Sequence, residues 1–311
     1  EESGSVDLPF YVEHLGARLG DPALLICLDS GAGDYDRLWL TTSLRGIAAG
    51  DLTVRVLEEG VHSGDASGVV PSSFRIVEQL IARIEDPATG KITRREFSGA
   101  VPKERVKQAS GAAKALGKEV YARFPFVDGA EPVTNDVKEL ILNRTWRPQL
   151  AVIGFDGVPR PLDAGSVMAP HTTVRLSLRI PPNIESGAAT AALGAIVTAK
   201  PPYGAKVDFK PQAGLTGWNA PATAGWLRKS LEAASMTAFG AAPAFMGEGG
   251  AIPFVGMLGK KFANTQFVVT GVLGPHANAH GPNEFLHIPM AKKVTAAVAL
   301  ILTDCATRNA V

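Results

Sequence analysis

A chain of 311 residues is long enough for about two domains. With 46% hydrophobic and 20% charged residues it can pack a large core, which excludes wholesale disorder. A net charge of +1 supplies no global field for nucleic acid or an acidic membrane surface, so neither is expected as a partner.

The chain opens on Glu1-Glu2-Ser3-Gly4-Ser5, and a start at two acids without a methionine or a leader reads as a cut end. Adjacent side chains leave the backbone in different directions, so one carboxylate can bind a metal while the other faces a metal-bound water. Residues 8–19 carry apolar positions at helical spacing (Phe10, Val12, Leu15, Leu19) and stop at Gly20. The apolar run 24–28 reads as a buried strand that closes on Asp29, and the carboxyl end of such a strand is where open α/β sheets place ligands. Residues 38–46 and 52–57 read as two further strands, and the strand, helix, strand start is α/β in character.

Residues 71–85 (Phe74, Val77, Leu80, Ile81, Ile84) form an amphipathic helix pattern. Residues 96–118 are rich in charge and read as a solvated face, with a helix starting near Val101-Pro102. A helix is predicted over 133–143, a strand over 150–155, and a strictly alternating strand over 172–180 that ends at Pro181-Pro182. An Ala-rich helix over 186–198, a strand over 206–210 and a helix over 221–239 follow. Residues 251–255 and 266–270 are short apolar runs. His280 sits in a loop rich in Gly, Asn and Pro, before a last helix whose apolar stretch 294–302 is too short to span a bilayer.

Cys27 and Cys305 lie far apart in apolar surroundings and read as small core hydrophobes, not as a disulfide framework. Asn143-Arg144-Thr145 fits the N-glycosylation pattern by chance, since nothing else argues for secretion. His14, His171 and His287 have no motif around them and read as structural or exposed. Gly247 to Gly250 is no phosphate-binding turn, because no Lys-Ser/Thr pair follows it. Glu2, Asp29 and His280 together form a zinc-type donor set. These ligands lie near the two ends of the chain, around a middle with its own sheet and helices. The expected division is therefore a catalytic domain in two parts, 1–50 and 221–311, with a domain inserted over 51–220.

Six stretches occur in the order of a known family: Glu-Glu-Ser-Gly-Ser, the strand ending in Asp29, Val61-His62-Ser63-Gly64, Ser177-Leu178-Arg179-Ile180-Pro181, Gly247-Glu248-Gly249-Gly250 with Ile252-Pro253, and Ala279-His280-Gly281-Pro282-Asn283-Glu284. They resemble the M20 metallopeptidases, within them the branch of carnosinases and cytosolic non-specific dipeptidases, and residues 140–159 resemble that branch's lid. The resemblance implies an α/β fold: a split catalytic domain with a mostly parallel sheet, of the phosphorylase/hydrolase-like zinc-peptidase type. An α+β lid and dimerisation domain with an antiparallel sheet is inserted in it.

By the same resemblance Glu1 matches the general base, and Glu2, Asp29 and His280 match metal ligands. His62 matches a lid histidine that reaches the partner subunit's active site and polarises the scissile carbonyl. Arg179 matches the residue that holds the substrate carboxylate, and Glu248, Gly249 and Gly250 match a substrate-facing loop. His276 has no ligand counterpart and reads as a supporting or exposed loop residue.

The implied cofactors are two divalent metal ions, zinc first and manganese second, acting in a cytoplasmic homodimer joined through the lid. The implied substrate is a dipeptide or short peptide. The alternatives are an N-acyl amino acid, or a non-catalytic dimerising protein on the same fold.

The sequence departs from the pattern in three places. The family's His-x-Asp motif and metal-bridging Asp precede the Glu-Glu pair and are not in this chain, which implies an N-terminal segment of the same protein, cleaved or held as a separate chain. Ala220 stands where the branch has a substrate-facing histidine, and Ala251 where it has a serine, so the identity of the substrate stays open.

Overall fold

A computed structural model describes residues 6–308. Glu1 and Glu2 therefore lie outside the described residues. The chain forms two compact units: Glu1–Arg45, Val101–Trp146 and Trp218–Val311 make the first, Gly46–Ala100 and Arg147–Gly217 the second.

The first unit is built on parallel strand pairs. Leu24–Cys27 runs parallel to Gln266–Val269, and Trp39–Leu44 runs parallel to Ala244–Glu248, with the short strand Trp218–Asn219 antiparallel on its other side. All six residues of Trp39–Leu44 are buried, as befits a strand covered on both faces. Helices cover it with apolar stripes at helical spacing: Leu227, Leu231 and Ala234 on Gly225–Phe239, and Met290, Val294, Ala297 and Ile301 on Ile288–Arg308. Each fully buried Leu or Ile of such a stripe contributes about 1.5–3 kcal/mol. Gly240 ends the first of these helices in the left-handed conformation (φ 76°), its N–H donating to the Met236 carbonyl.

The second unit is a four-stranded antiparallel sheet in the order Gln149–Asp156, His171–Ile180, Gly46–Arg55, Lys206–Pro211. Helices Ser73–Ile81 and Ser186–Thr198 share a core with Leu52, Val54, Leu176 and Leu178 of that sheet. Both helices begin at a side-chain cap. Ser72 Oγ accepts from Arg75 N at 3.3 Å, and Glu185 Oε2 accepts from Ala188 N at 2.8 Å. The alternation read over 172–180 is observed with one exception: Thr172, Val174, Leu176, Leu178 and Ile180 are buried in turn, and Ser177 between them is buried too.

Several expectations change. The insertion expected over 51–220 does not stay together. Residues Val101–Trp146 belong to the first unit, because Ala109, Ala112, Leu116, Val120, Ile141 and Leu142 join its core beside Trp39. The charge-rich stretch near 96–118 is thus an amphipathic helix, Lys103–Leu116, with one face buried. Unit boundaries fall at Arg45/Gly46 and Gly217/Trp218.

The strand expected over 52–57 starts at Gly46, since the small residues 46–50 that resemble a loop pair with Leu176–Ile180. The helix expected over 8–19 breaks at Leu15 into Leu8–His14 and Gly16–Leu19, leaving Phe10 and Leu19 exposed. The strand before Asp29 is half-buried at its first three positions. The apolar run at 251–255 opens a helix, Pro253–Lys261, with proline in its first turn, where its missing N–H costs nothing. Among the described residues no helix is long and apolar enough to cross a membrane.

Candidate active site

A cavity of about 760 Å³ opens in the first unit at the carboxyl ends of its parallel strands. Asp29 to Ala32 line it after the first strand, and Leu44 lines it at the end of the second. Met246 and Glu248 come from the Ala244–Glu248 strand, and Leu273, Gly274 and residues 276–280 from the chain that follows Gln266–Val269.

Asp29 is held at this rim by its neighbours. Thr270 N donates to the Cys27 carbonyl at 2.9 Å, extending the parallel ladder past the strand end. Ser30 turns inward, where its Oγ and Thr41 Oγ1 share a buried hydrogen bond of 2.6 Å. Gly31 then bridges to Leu273, and Ala32 N donates to the Leu273 carbonyl at 2.9 Å. Gly271 makes this closeness possible, because a Cβ there would stand 1.7 Å from the Ser30 carbonyl oxygen. The loop carrying Asp29 and the loop leading to His280 are therefore joined at their bases.

The His280 loop is closed on itself. His280 N donates to Glu284 Oε2 at 3.1 Å, Asn278 Nδ2 to the Pro282 carbonyl at 2.6 Å, and Phe285 N to the Ala277 carbonyl at 3.2 Å. His276, Asn278, His280 and Asn283 all adopt positive φ, between 54° and 63°. Asparagine and histidine are found in this region more often than other non-glycine residues, at a cost of about 1–2 kcal/mol. Such strain persists where surrounding structure over-determines it, and it clusters at functional sites. The loop leaves through Tyr35, whose ring stacks on His287 at 4.0 Å and whose hydroxyl donates to the Pro275 carbonyl at 3.0 Å. His287 Nδ1 accepts from Met290 N at 3.1 Å and so caps the last helix.

Of the residues singled out in the sequence, Asp29, His280, Glu248 and Gly250 line this one cavity. Gly249 is not among the lining residues. Its carbonyl accepts from Arg45 Nε at 3.3 Å, and a Cβ there would meet the Arg144 carbonyl at 3.0 Å and its Cγ at 3.1 Å. Gly249 thus serves the close packing of two arginines. His62 and Arg179 belong to the second unit. His62 is exposed at the end of the two-residue strand Val61–His62, and Arg179 is half-buried in His171–Ile180, opposite Ile47 and Gln149.

Asp29 and His280 offer an oxygen and a nitrogen donor in one cavity, a pair suited to zinc or manganese. Among the described residues, however, no group of three or more His, Cys, Asp or Glu is gathered closely enough to hold a metal ion. A zinc site needs at least three protein ligands, and the described residues do not supply them by themselves. Glu2, the further ligand implied by the resemblance, lies outside them.

The sequence reading missed the contribution of residues 101–146. Arg123, Phe124, Pro125 and Arg144 line the cavity beside Glu248, and so does His276. Arg144 follows the apolar run Leu140-Ile141-Leu142 by two residues, and Arg123 opens the cluster Phe124-Pro125-Phe126. Burial pulls the Arg144 guanidinium below the usual arginine range; the Glu248 carboxylate opposes that effect and Arg123 adds to it.

No family model matches the chain. It is 29% identical over 270 residues to the cysteinylglycine-S-conjugate dipeptidase of Corynebacterium striatum, a match that takes in 81% of this chain and 55% of that protein. Among solved structures it is similar to the di-peptidase Dug1p of Saccharomyces cerevisiae (TM-score 0.73, 20% identity, 98% of this chain and 64% of that one). It is similar to human carnosine dipeptidase 1 as well (TM-score 0.74, 18% identity, 99% and 64%). The M20 family metallo-carboxypeptidase Sso-CP2 of Sulfolobus solfataricus has the same fold (TM-score 0.69, 18% identity, 97% and 68%). The chain thus spans little more than half the length of the curated relative, and 64% of the first two structures.

Proposed function

We propose that this chain, which has the fold of the M20 metallopeptidases and is related in sequence to a dipeptidase, is part of an enzyme that hydrolyses the amide bond of dipeptides or short peptides at a divalent metal centre. One observation carries the reading. Asp29 and His280, far apart in the sequence, both line, with Glu248, a single cavity at the carboxyl ends of parallel strands.

Glu2, Asp29 and His280 would hold the metal, with two zinc ions as the expected occupants and manganese as the substitute. When bound, such ions acidify water and stabilise developing negative charge. The roles of the chain's own groups follow from their chemistry. Glu1 accepts the proton of the attacking water and passes it to the leaving amine. Glu248 and Gly250 face the peptide. Arg179 takes the terminal carboxylate with both arms of its guanidinium. His62 donates to the carbonyl oxygen as it gains charge, a contribution of about 3 kcal/mol when such a donor is removed. His62 and Arg179 enter on the resemblance alone, as does a homodimer formed through the second unit, in which His62 serves the partner's substrate.

A second reading, hydrolysis of N-acyl amino acids by the same groups, draws on Ala251, Phe124 and Pro125, which give the cavity an apolar side. Hydrolysis of a panel of dipeptides and N-acyl amino acids by the full protein, with zinc and with manganese, separates the two. Glu1→Gln is expected to lower turnover by about 100-fold or more while bound metal is unchanged. Turnover at the wild-type rate in that variant would refute the mechanism.

A further inference from the structure

Arg144 is placed unlike the other arginines of its unit. Arg105 is buried, but each nitrogen of its guanidinium has a partner: Nε donates to Asn219 Oδ1 at 2.9 Å, Nη1 to Gln108 Oε1 at 3.0 Å and Nη2 to the Ala220 carbonyl at 2.7 Å. Arg45, also buried, donates to the carbonyls of Gly249 at 3.3 Å and Asn143 at 3.2 Å. Arg144 has five N–H donors to place. Its contact is from Nη2 to the thioether of Met246 at 3.4 Å, a weak acceptor. Its Nε is shut off from solvent and has no hydrogen-bond partner among the described residues. Among the described residues no carboxylate lies within ion-pairing distance of it, although Glu248 lines the same cavity.

The side chain is also held in place. Arg144 lies in the last turn of helix Val137–Thr145, whose Ile141, Leu142 and Thr145 are buried, and Thr145 Oγ1 donates to the Ile141 carbonyl at 2.7 Å. The missing Cβ of Gly249 lets a second segment close over the Arg144 stem. A fixed cation with an unsatisfied, solvent-free donor costs several kcal/mol unless an acceptor arrives.

We propose that Arg144 is a ligand-binding residue of this cavity, and that what it binds is a carboxylate group of the substrate. A guanidinium presents parallel N–H donors that match the two oxygens of a carboxylate, and Arg123 on the same cavity wall adds a second positive charge. The cavity already holds the acids Asp29 and Glu248, which repel a dianion such as phosphate more than a single carboxylate. The inference rests on the peptide-hydrolase reading for the class of ligand. With Arg179 assigned to the terminal carboxylate, Arg144 serves a second acid, so peptides carrying an aspartate or glutamate side chain are the preferred substrates.

The test measures binding apart from turnover. The thermal midpoint of the purified protein is followed as succinate replaces sodium chloride at constant ionic strength, for wild type, Arg144→Met and Arg144→Lys. Wild type is expected to gain stability with succinate. Arg144→Met is expected to be at least as stable as wild type without succinate, because it removes a buried unpaired charge, and to lose the succinate response. Arg144→Lys, a point charge without the fork, is expected to respond with about tenfold weaker apparent affinity.

An equal response to succinate in all three proteins would overturn the proposal. So would an Arg144→Met protein that is destabilised but keeps its response, or an Arg144→Lys protein, read alone if the Met variant does not fold, that responds as wild type does. In a kinetic arm, Arg144→Met is expected to raise KM for Gly-Glu by about tenfold relative to Gly-Ala. If neither peptide is hydrolysed by wild type, the hydrolase reading fails, while the succinate result still decides the role of Arg144.

Discussion

The two units treat their polar groups differently. In the second unit they are paired across the sheet. Arg175 holds Asp51 with two bonds of 2.7 and 2.9 Å, Thr53 meets Thr173 at 2.8 Å, and Ser73 meets Thr172 at 2.9 Å in the core. Its unpartnered buried atoms, His171 Nδ1 and Thr190 Oγ1, carry no fixed charge. Among the described residues of the first unit the unpartnered buried atoms are Ser43 Oγ, Thr270 Oγ1 and the charged Arg144 Nε. Ser43 and Thr270 stand at the carboxyl ends of parallel strands, and Arg144 lines the cavity that opens there. The four left-handed residues of the 276–283 loop belong to the same region. A sheet that serves as scaffold satisfies its own donors and acceptors, whereas a site keeps some of them for a ligand and stores strain to do so.

The sharpest way to break this comparison is to disturb the joint between the two loops of the first unit. Gly271→Ala places a methyl group against the backbone of Ser30, where neither side can yield without moving a strand end. The expected cost is about 3 kcal/mol, the upper part of the range for overpacking, read as a shift in the urea midpoint with an unchanged slope. An alanine tolerated there without loss of stability would mean that the Asp29 and His280 loops are not fixed to one another.

A smaller effect is expected in the second unit. Hydrogen bonds from Arg175 hold the Asp51 carboxyl below its ordinary value of 3.8. A carboxyl lowered by folding contributes stability that is present above the unfolded value and is lost as pH falls through the folded one. Asp51→Asn is therefore expected to cost less than about 1 kcal/mol at pH 7, since the pair is partly exposed. It is also expected to flatten the dependence of stability on pH below pH 3.8. An unchanged acid limb would show that the pair does not act on folding.

How much was legible in the sequence follows from the same contrast. The strand His171–Ile180 was readable because one face is largely buried and period 2 then appears in the residues, and the helix Ser186–Thr198 because it is rich in alanine, the best helix former. Asp29, His280, Glu248 and Gly250 were singled out by their motifs, and all four line the cavity; their roles in a site stay a proposal. The placement of Val101–Trp146 was not readable. Its helix buries small residues, Ala109 and Ala112, which mark an apolar face weakly, so charge dominated the impression. Gly46–Arg55 was truncated for the same reason, its first five residues being mostly glycine and alanine. Arg144 escaped notice because what distinguishes it is the absence of a partner in three dimensions, which no spacing along the chain encodes.

The central claim is that Asp29 and His280 share a divalent cation. It is tested most directly by zinc affinity of the full protein, measured by competition with a chromogenic chelator, for wild type, Asp29→Asn, His280→Ala and His276→Ala. Loss of either ligand is expected to weaken zinc binding by more than the about 10- to 100-fold that loss of an outer-shell partner costs, with His276→Ala well below that. Wild-type affinity in Asp29→Asn or His280→Ala, or a larger loss in His276→Ala than in either, would contradict the account.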